Sequence, residues 1–148
     1  MRGRVGKLLR LSATEWWDLL AAHWALAVAW IVVATRPRGR LAAPSNLLPA
    51  GGLSKAVDQR AQRVALAVGR ASGFGFIRPR CLVQAVALQR MLEARGIEGS
   101  RVCIGVWREG SEFIAHAWVE YGGKVLGDKE ENVRRFTPLP DLRVKSRV

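Results

Sequence analysis

Three residues in the second half of the chain have the types that acyl transfer through a thioester needs: Cys81, His116 and Asp128. They lie in one continuous stretch, CLVQAVALQRMLEARGIEGSRVCIGVWREGSEFIAHAWVEYGGKVLGD. A thiolate can attack a carbonyl carbon. An imidazole can take and return the proton, and a carboxylate can orient that imidazole and stabilise its charged form. Such a set cuts or rearranges an amide bond. Each residue alone has an ordinary explanation. A free cysteine is often a small buried hydrophobe, a strand histidine is often half-buried and inert, and an aspartate after a strand is a common turn former. What points to chemistry is their placement at the start of a helix, inside a strand and at the end of the next strand.

The elements that must position them can be read from the same stretch. Pro79 suits a helix entry, and Cys81, Ala85, Leu88 and Leu92 then recur at helical spacing until Gly96 stops the turn. A cysteine in the first turn feels the positive end of the helix macrodipole, and Arg78 and Arg80 flank it; both favour the anion. Cys103 falls mid-strand in no such setting and is expected to be structural. Ser100–Trp107, Phe113–Tyr121 and Lys124–Gly127 predict a three-stranded antiparallel meander. The turn at Gly122-Gly123 decides whether the pair can meet. A two-residue turn pairs Tyr121 with Lys124 and predicts His116 and Asp128 on opposite faces; a three-residue loop places them directly opposite each other. The triad therefore requires the longer loop on this reading.

Upstream, Ser12 and Glu15 form a capping box, and Trp16–Ala34 is apolar apart from Asp18 and His23. The run is long enough to span a bilayer, but the two polar residues shorten its uninterrupted part to Trp24–Ala34, the length of a buried helix. A packed helix is expected rather than a membrane-associated one, so a membrane is not an expected partner, and Ala21, Ala25 and Ala29 allow close approach of a neighbour. Arg36–Arg40 ends it, a loop follows to Gly52, and Ser54 caps a second helix to about Val68 with Val57, Ala61, Val64, Ala65 and Val68 on one stripe. Gly69, Gly73 and Gly75 are expected to break the chain. The division that results is a helical N-terminal region over 1–70 and a catalytic core over 71–148, in an α+β fold.

Composition narrows the function class. The 148 residues and 49% hydrophobic content suit one compact domain, or a small domain with an appendage. Two cysteines are too few for a disulfide framework and fit free thiols in a reducing, cytoplasmic compartment. Two histidines and two cysteines at no ligand-pair spacing give no metal site, and no cofactor motif is present. The net charge of +12 suggests an acidic or polyanionic partner or a membrane surface. Nucleic acid is not the expected partner: the basic residues are scattered and no helix-turn-helix, RNP-like or zinc-finger pattern appears.

CLVQAVALQRMLEARGI, HAWVEYGGKVLGD and the trailing RRFTPL resemble the transglutaminase-like leader peptidases of lasso-peptide biosynthesis, over roughly Phe74 to Leu139. The resemblance implies a transglutaminase/papain-like core and a catalytic triad of Cys81, His116 and Asp128. It implies removal of the leader from a ribosomally made precursor peptide. The implied partners are that precursor and a leader-recognition protein that presents it, with the ATP-dependent lasso cyclase as a further candidate. The chain shows no fused recognition domain on this reading. The glutamine that papain-like proteases place before the cysteine is replaced by Gly75 and Phe76, which leaves the Cys81 backbone N–H as the candidate oxyanion donor. A transglutaminase-like acyltransferase would use the same parts, with an amine in place of water.

Overall fold

A computed structural model describes residues 12–35, 54–74 and 80–139. Among the described residues, three helices precede a small sheet: α1 (Ala13–Thr35), α2 (Lys55–Phe74) and α3 (Cys81–Glu93), then β1 (Arg101–Glu109), β2 (Glu112–Tyr121), β3 (Lys124–Leu126), a short α4 (Glu130–Val133) and β4 (Thr137–Pro138). The sheet is antiparallel in the order β3-β2-β1-β4. The fold is α+β, as the sequence predicts.

α3 is the central element. Its apolar positions extend well beyond the expected stripe: Val83, Ala85, Val86, Ala87, Leu88, Met91 and Leu92 are all buried. A helix apolar on more than one side must be covered on more than one side. α1 and α2 cover one flank and the sheet covers the other, through Val102, Ala117, Val119, Tyr121 and Leu126 in the same core cluster. The helix ends as Gly96 predicts. Gly96 has φ 68°, and the Ile97 N–H reaches back to the Leu92 carbonyl, closing the last turn.

The N-terminal capping box is present. The Ser12 backbone N–H donates to Glu15 Oε2 at 2.9 Å, and the Glu15 N–H reaches Ser12 Oγ at 3.4 Å. α1 meets α2 and α3 through Leu19, Ala22 and Ala29, with Ala25, Leu26 and Val33 partly buried beside them. The close-approach stripe thus includes Ala22 rather than Ala21, which is exposed. α2 buries Ala61, Val64, Ala65 and Val68 as expected, but it does not break at Gly69 or Gly73. It continues to Phe74 because Ala67 and Ala71 add to the buried face, and tertiary packing overrides the weak helix propensity of glycine. The loop expected over Arg36–Gly52, and Gly75, lie outside the described residues.

Two elements go beyond the expected meander. β4 adds a fourth strand by pairing Pro138 with Gly105 and Thr137 with Val106, and α4 bridges from β3 toward it. A two-residue strand holding a proline carries almost no local signal; it sits at the sheet edge, where a missing N–H is tolerated.

Candidate active site

The turn between β2 and β3 has two residues, not three. Tyr121 pairs with Lys124, Glu120 with Val125 and Val119 with Leu126, and Gly122 and Gly123 take φ 56° and 77°. Extended in register, this ladder would put Asp128 on the face opposite His116. The expectation that the pair needs a longer loop is nevertheless overturned, because the ladder stops at Leu126. Gly127 has φ 78°, a left-handed conformation that turns the chain out of the strand. Asp128 is then free of the strand's alternation. Its Oδ2 lies 2.6 Å from His116 Nε2. A Cβ on Gly127 would also come within 3.0 Å of Leu88 Cδ2 on α3, so glycine meets both a conformational and a spatial need there.

Asp128 is held from its other side as well. The Lys129 backbone N–H donates to Oδ1 at 2.6 Å, and Asn132 Nδ2, from α4, donates to Oδ1 at 3.2 Å. Partial burial opposes ionisation of this carboxyl most strongly. The bonds from His116, Lys129 and Asn132 together outweigh it and hold the group below the ordinary aspartate range. The carboxylate can only accept, so in the neutral ring Nε2 carries the hydrogen and Nδ1 is the atom that can take a proton.

His116 is flanked by aromatic rings. Phe136 lies 5.0 Å away between ring centroids and Trp118 lies 6.2 Å away, at interplanar angles of 34° and 23°. Room for that packing comes from Gly105, which faces His116 across β1 and β2. A Cβ at Gly105 would meet Trp118 Cη2 at 2.8 Å and Phe136 Cβ at 2.9 Å. Trp118 is buried and fixed by its indole N–H on Glu120 Oε1 at 3.1 Å. Gly105→Ala should therefore destabilise the fold by about 1–3 kcal/mol, the usual effect of overpacking. Thermal unfolding checks it; an unchanged Tm would mean the aromatic wall is loose.

Cys81 is the first residue of α3 and is half-buried. Arg80 holds the N-cap position in an extended conformation, and its side chain makes no capping bond. The first intrahelical bond formed there is the Gln84 N–H to the Arg80 carbonyl at 3.2 Å. The Cys81 N–H thus belongs to the turn of donors that have no partner within the helix, consistent with its expected role as oxyanion donor. Gly75, Phe76, Arg78 and Pro79 lie outside the described residues.

Cys81, His116 and Asp128 line one cavity. Gln84 and Leu88 of α3, Trp118 of β2, and Ala65, Val68 and Gly69 of α2 complete much of its wall. All three residues singled out in the sequence are brought together. Cys103 has a different environment: it is half-buried, and burial together with the Glu120 carboxylate pushes its thiol up to about 11 against the pull of Arg101. Asn132, Gly127 and Gly105 carry no site signal of their own in the sequence, and Phe136 stands only in the trailing RRFTPL.

A helix-borne thiol and an imidazole–carboxylate pair from an antiparallel sheet, lining one cavity, fit the transglutaminase-like class. Residues 19–141 match the transglutaminase-like superfamily, and the chain belongs to it. Members of that superfamily are commonly cysteine peptidases or acyltransferases. No curated protein and no solved structure shows a significant match to the chain.

Asn132→Ala is expected to lower turnover about tenfold, the effect of losing one hydrogen bond to a charged group. It should also shift acid unfolding. A carboxyl held below its unfolded value, about 3.9, contributes stability above that pH, and the contribution is lost as pH falls through the folded value. Removing the Asn132 donor raises the folded value, so the stability contributed above the unfolded value is smaller and its loss is complete at a higher pH. Circular dichroism during acid titration reads this; superimposable curves for the two proteins would refute it.

Proposed function

We propose that this chain is a cysteine peptidase that removes the leader from a ribosomally made lasso-peptide precursor. The observation that carries the chemistry is the 2.6 Å His116–Asp128 pair opening on the same cavity as Cys81. Support for the substrate comes from the sequence resemblance of the Cys81 helix and the His116 strand to leader peptidases of that pathway.

In this reading, His116 Nδ1 takes the Cys81 proton and the sulfur attacks the scissile carbonyl. A C–S bond forms and the negative charge moves to the carbonyl oxygen, beside the Cys81 N–H. The C–N bond breaks as imidazolium returns the proton to the leaving amine, which departs with the core peptide. Water, deprotonated by the same ring, adds to the thioester. The C–S bond then breaks, freeing the leader with a new carboxylate and restoring the thiol. Asp128 keeps the ring in place and stabilises its charged form.

The deciding experiment incubates the full chain with a lasso-precursor peptide, with and without a leader-recognition protein, and reads masses. Weak cleavage alone and strong stimulation by the helper are expected. Raised salt should weaken that stimulation if the basic surface contributes to docking. A product heavier by an added amine, rather than by water, would assign the acyltransferase reading. Equal rates with and without the helper would remove the presentation step.

A further inference from the structure

α1 has two unlike sides. Its inner stripe, centred on Ala22 and Ala29, packs on α2 and α3. The acids of α1 lie toward that seam and are tied across it. Asp18 Oδ1 pairs with Arg95 at 2.6 Å, and Glu15 Oε1 pairs with Arg70 at 3.3 Å. His23 is turned back on its own helix, Nδ1 to the Leu19 carbonyl at 2.8 Å. The expectation that packing buries the apolar surface of this helix holds for the inner stripe only. On the opposite side, Trp17, Leu20, Trp24, Trp30 and Ile31 are exposed, Trp17 and Trp24 at 73% and 74%. At about 100° per residue these five positions fall within one half of the helix circumference. No Asp, Glu, Lys or Arg stands among the described residues of that outer half.

A contiguous apolar patch of this kind marks an interaction surface rather than ordinary solvent-facing skin. Two features indicate what covers it. Its dominant residue is tryptophan, the side chain that settles at the water–bilayer interface. The sequence on either side of α1 is basic: Arg2, Arg4, Lys7 and Arg10 before it, and Arg36, Arg38 and Arg40 after it, with no acidic residue between Met1 and Thr14 or between Arg36 and Val57. Basic sequence before and after a helix with an apolar, Trp-bearing face complements an anionic lipid surface, where each cation adds electrostatic attraction.

We propose that the outer face of α1 seats this protein on an anionic lipid surface, with the helix lying in the interface plane. The helix does not need to leave the fold to do so, since the Asp18–Arg95 and Glu15–Arg70 ties and the inner stripe stay in place. Nothing in this depends on the identity of the substrate cut at Cys81.

The test uses the full chain and sedimentation with vesicles of phosphatidylcholine alone or with about one-third phosphatidylglycerol. Binding should be at least about tenfold tighter to the anionic vesicles and should weaken as salt rises through about 0.1 M to 0.5 M. Tryptophan fluorescence should shift to the blue and be quenched by brominated lipid, a readout that needs no variant. The double variant Trp17→Ser, Trp24→Ser should lose about tenfold in binding with its thermal unfolding unchanged. Failure to bind either vesicle would overturn the proposal, as would equal binding to both. So would a soluble self-associated form that the double variant converts to monomer, which would assign the face to a second copy of the chain.

Discussion

Cys81→Ala should abolish precursor cleavage, with a loss on the order of 10⁵-fold or more, while the protein stays folded. The size follows from the role: without sulfur there is no covalent intermediate, and only binding and oxyanion contacts remain to act on water. The fold should survive because Cys81 is half-buried in the first turn of α3, whose packing rests on Val83, Ala85, Leu88 and Leu92. Cys103 supplies the internal control. Its thiol is pushed up to about 11, chiefly by burial, so near neutral pH it stays protonated and a poor nucleophile. A stoichiometric amount of iodoacetamide should therefore label Cys81 and stop cleavage, whereas Cys103→Ala should retain most activity. Peptide mapping by mass spectrometry and a cleavage time course check both. Cleavage by Cys81→Ala within about tenfold of the parent would eliminate thioester chemistry at this position.

Much of this site is written locally, and what is not written locally is what holds it in shape. The helix from Cys81, the strands around Cys103 and His116, and the capping box at Ser12 each carry their own signal within a few residues: a 3.6-residue stripe, a β-branched run, a reciprocal pair of side chains. The class of the fold follows from them. The meeting of His116 and Asp128 does not. Period-2 reasoning is valid only while a strand continues, and β3 ends at Leu126. Beyond it, the φ of Gly127 and its fit against Leu88 decide where Asp128 points, and that contact joins positions 39 residues apart. Phe136 and Asn132 were invisible as supports for the same reason. α4, which carries Asn132, and the two-residue β4, which follows Phe136, are too short to declare themselves. The outer face of α1 is a different case. Its hydrophobicity is plain in the sequence, but which half is buried depends on α2 and α3 lying against it.

Asp128→Asn should lower turnover by roughly 10³–10⁴-fold, with little effect on substrate affinity. The amide is nearly isosteric, so the contacts from Lys129 and Asn132 to Oδ1 can persist. What changes is the partner presented to His116 Nε2. A carboxylate accepts from Nε2–H and grows more favourable as the ring becomes imidazolium. An amide that keeps its oxygen on the Lys129 and Asn132 donors turns its NH₂ toward Nε2, which selects the tautomer with hydrogen on Nδ1 and removes the base that Cys81 needs. Flipping the amide restores the acceptor at Nε2 but aims two hydrogens at two existing donors. Either arrangement is penalised, one in the chemistry and the other in the anchoring. Substrate binding should be nearly unchanged, because the amide keeps the size and place of this side chain in the cavity wall. Steady-state kinetics of the proposed cleavage separate the cases: a fall in kcat at constant KM is expected. A variant that keeps its kcat would show that Asp128 only shapes the turn after Gly127 and takes no part in proton transfer. Gly127→Ala gives the complementary view. It leaves the carboxylate in place chemically but strains the left-handed turn and crowds Leu88, so it should reduce kcat and stability together.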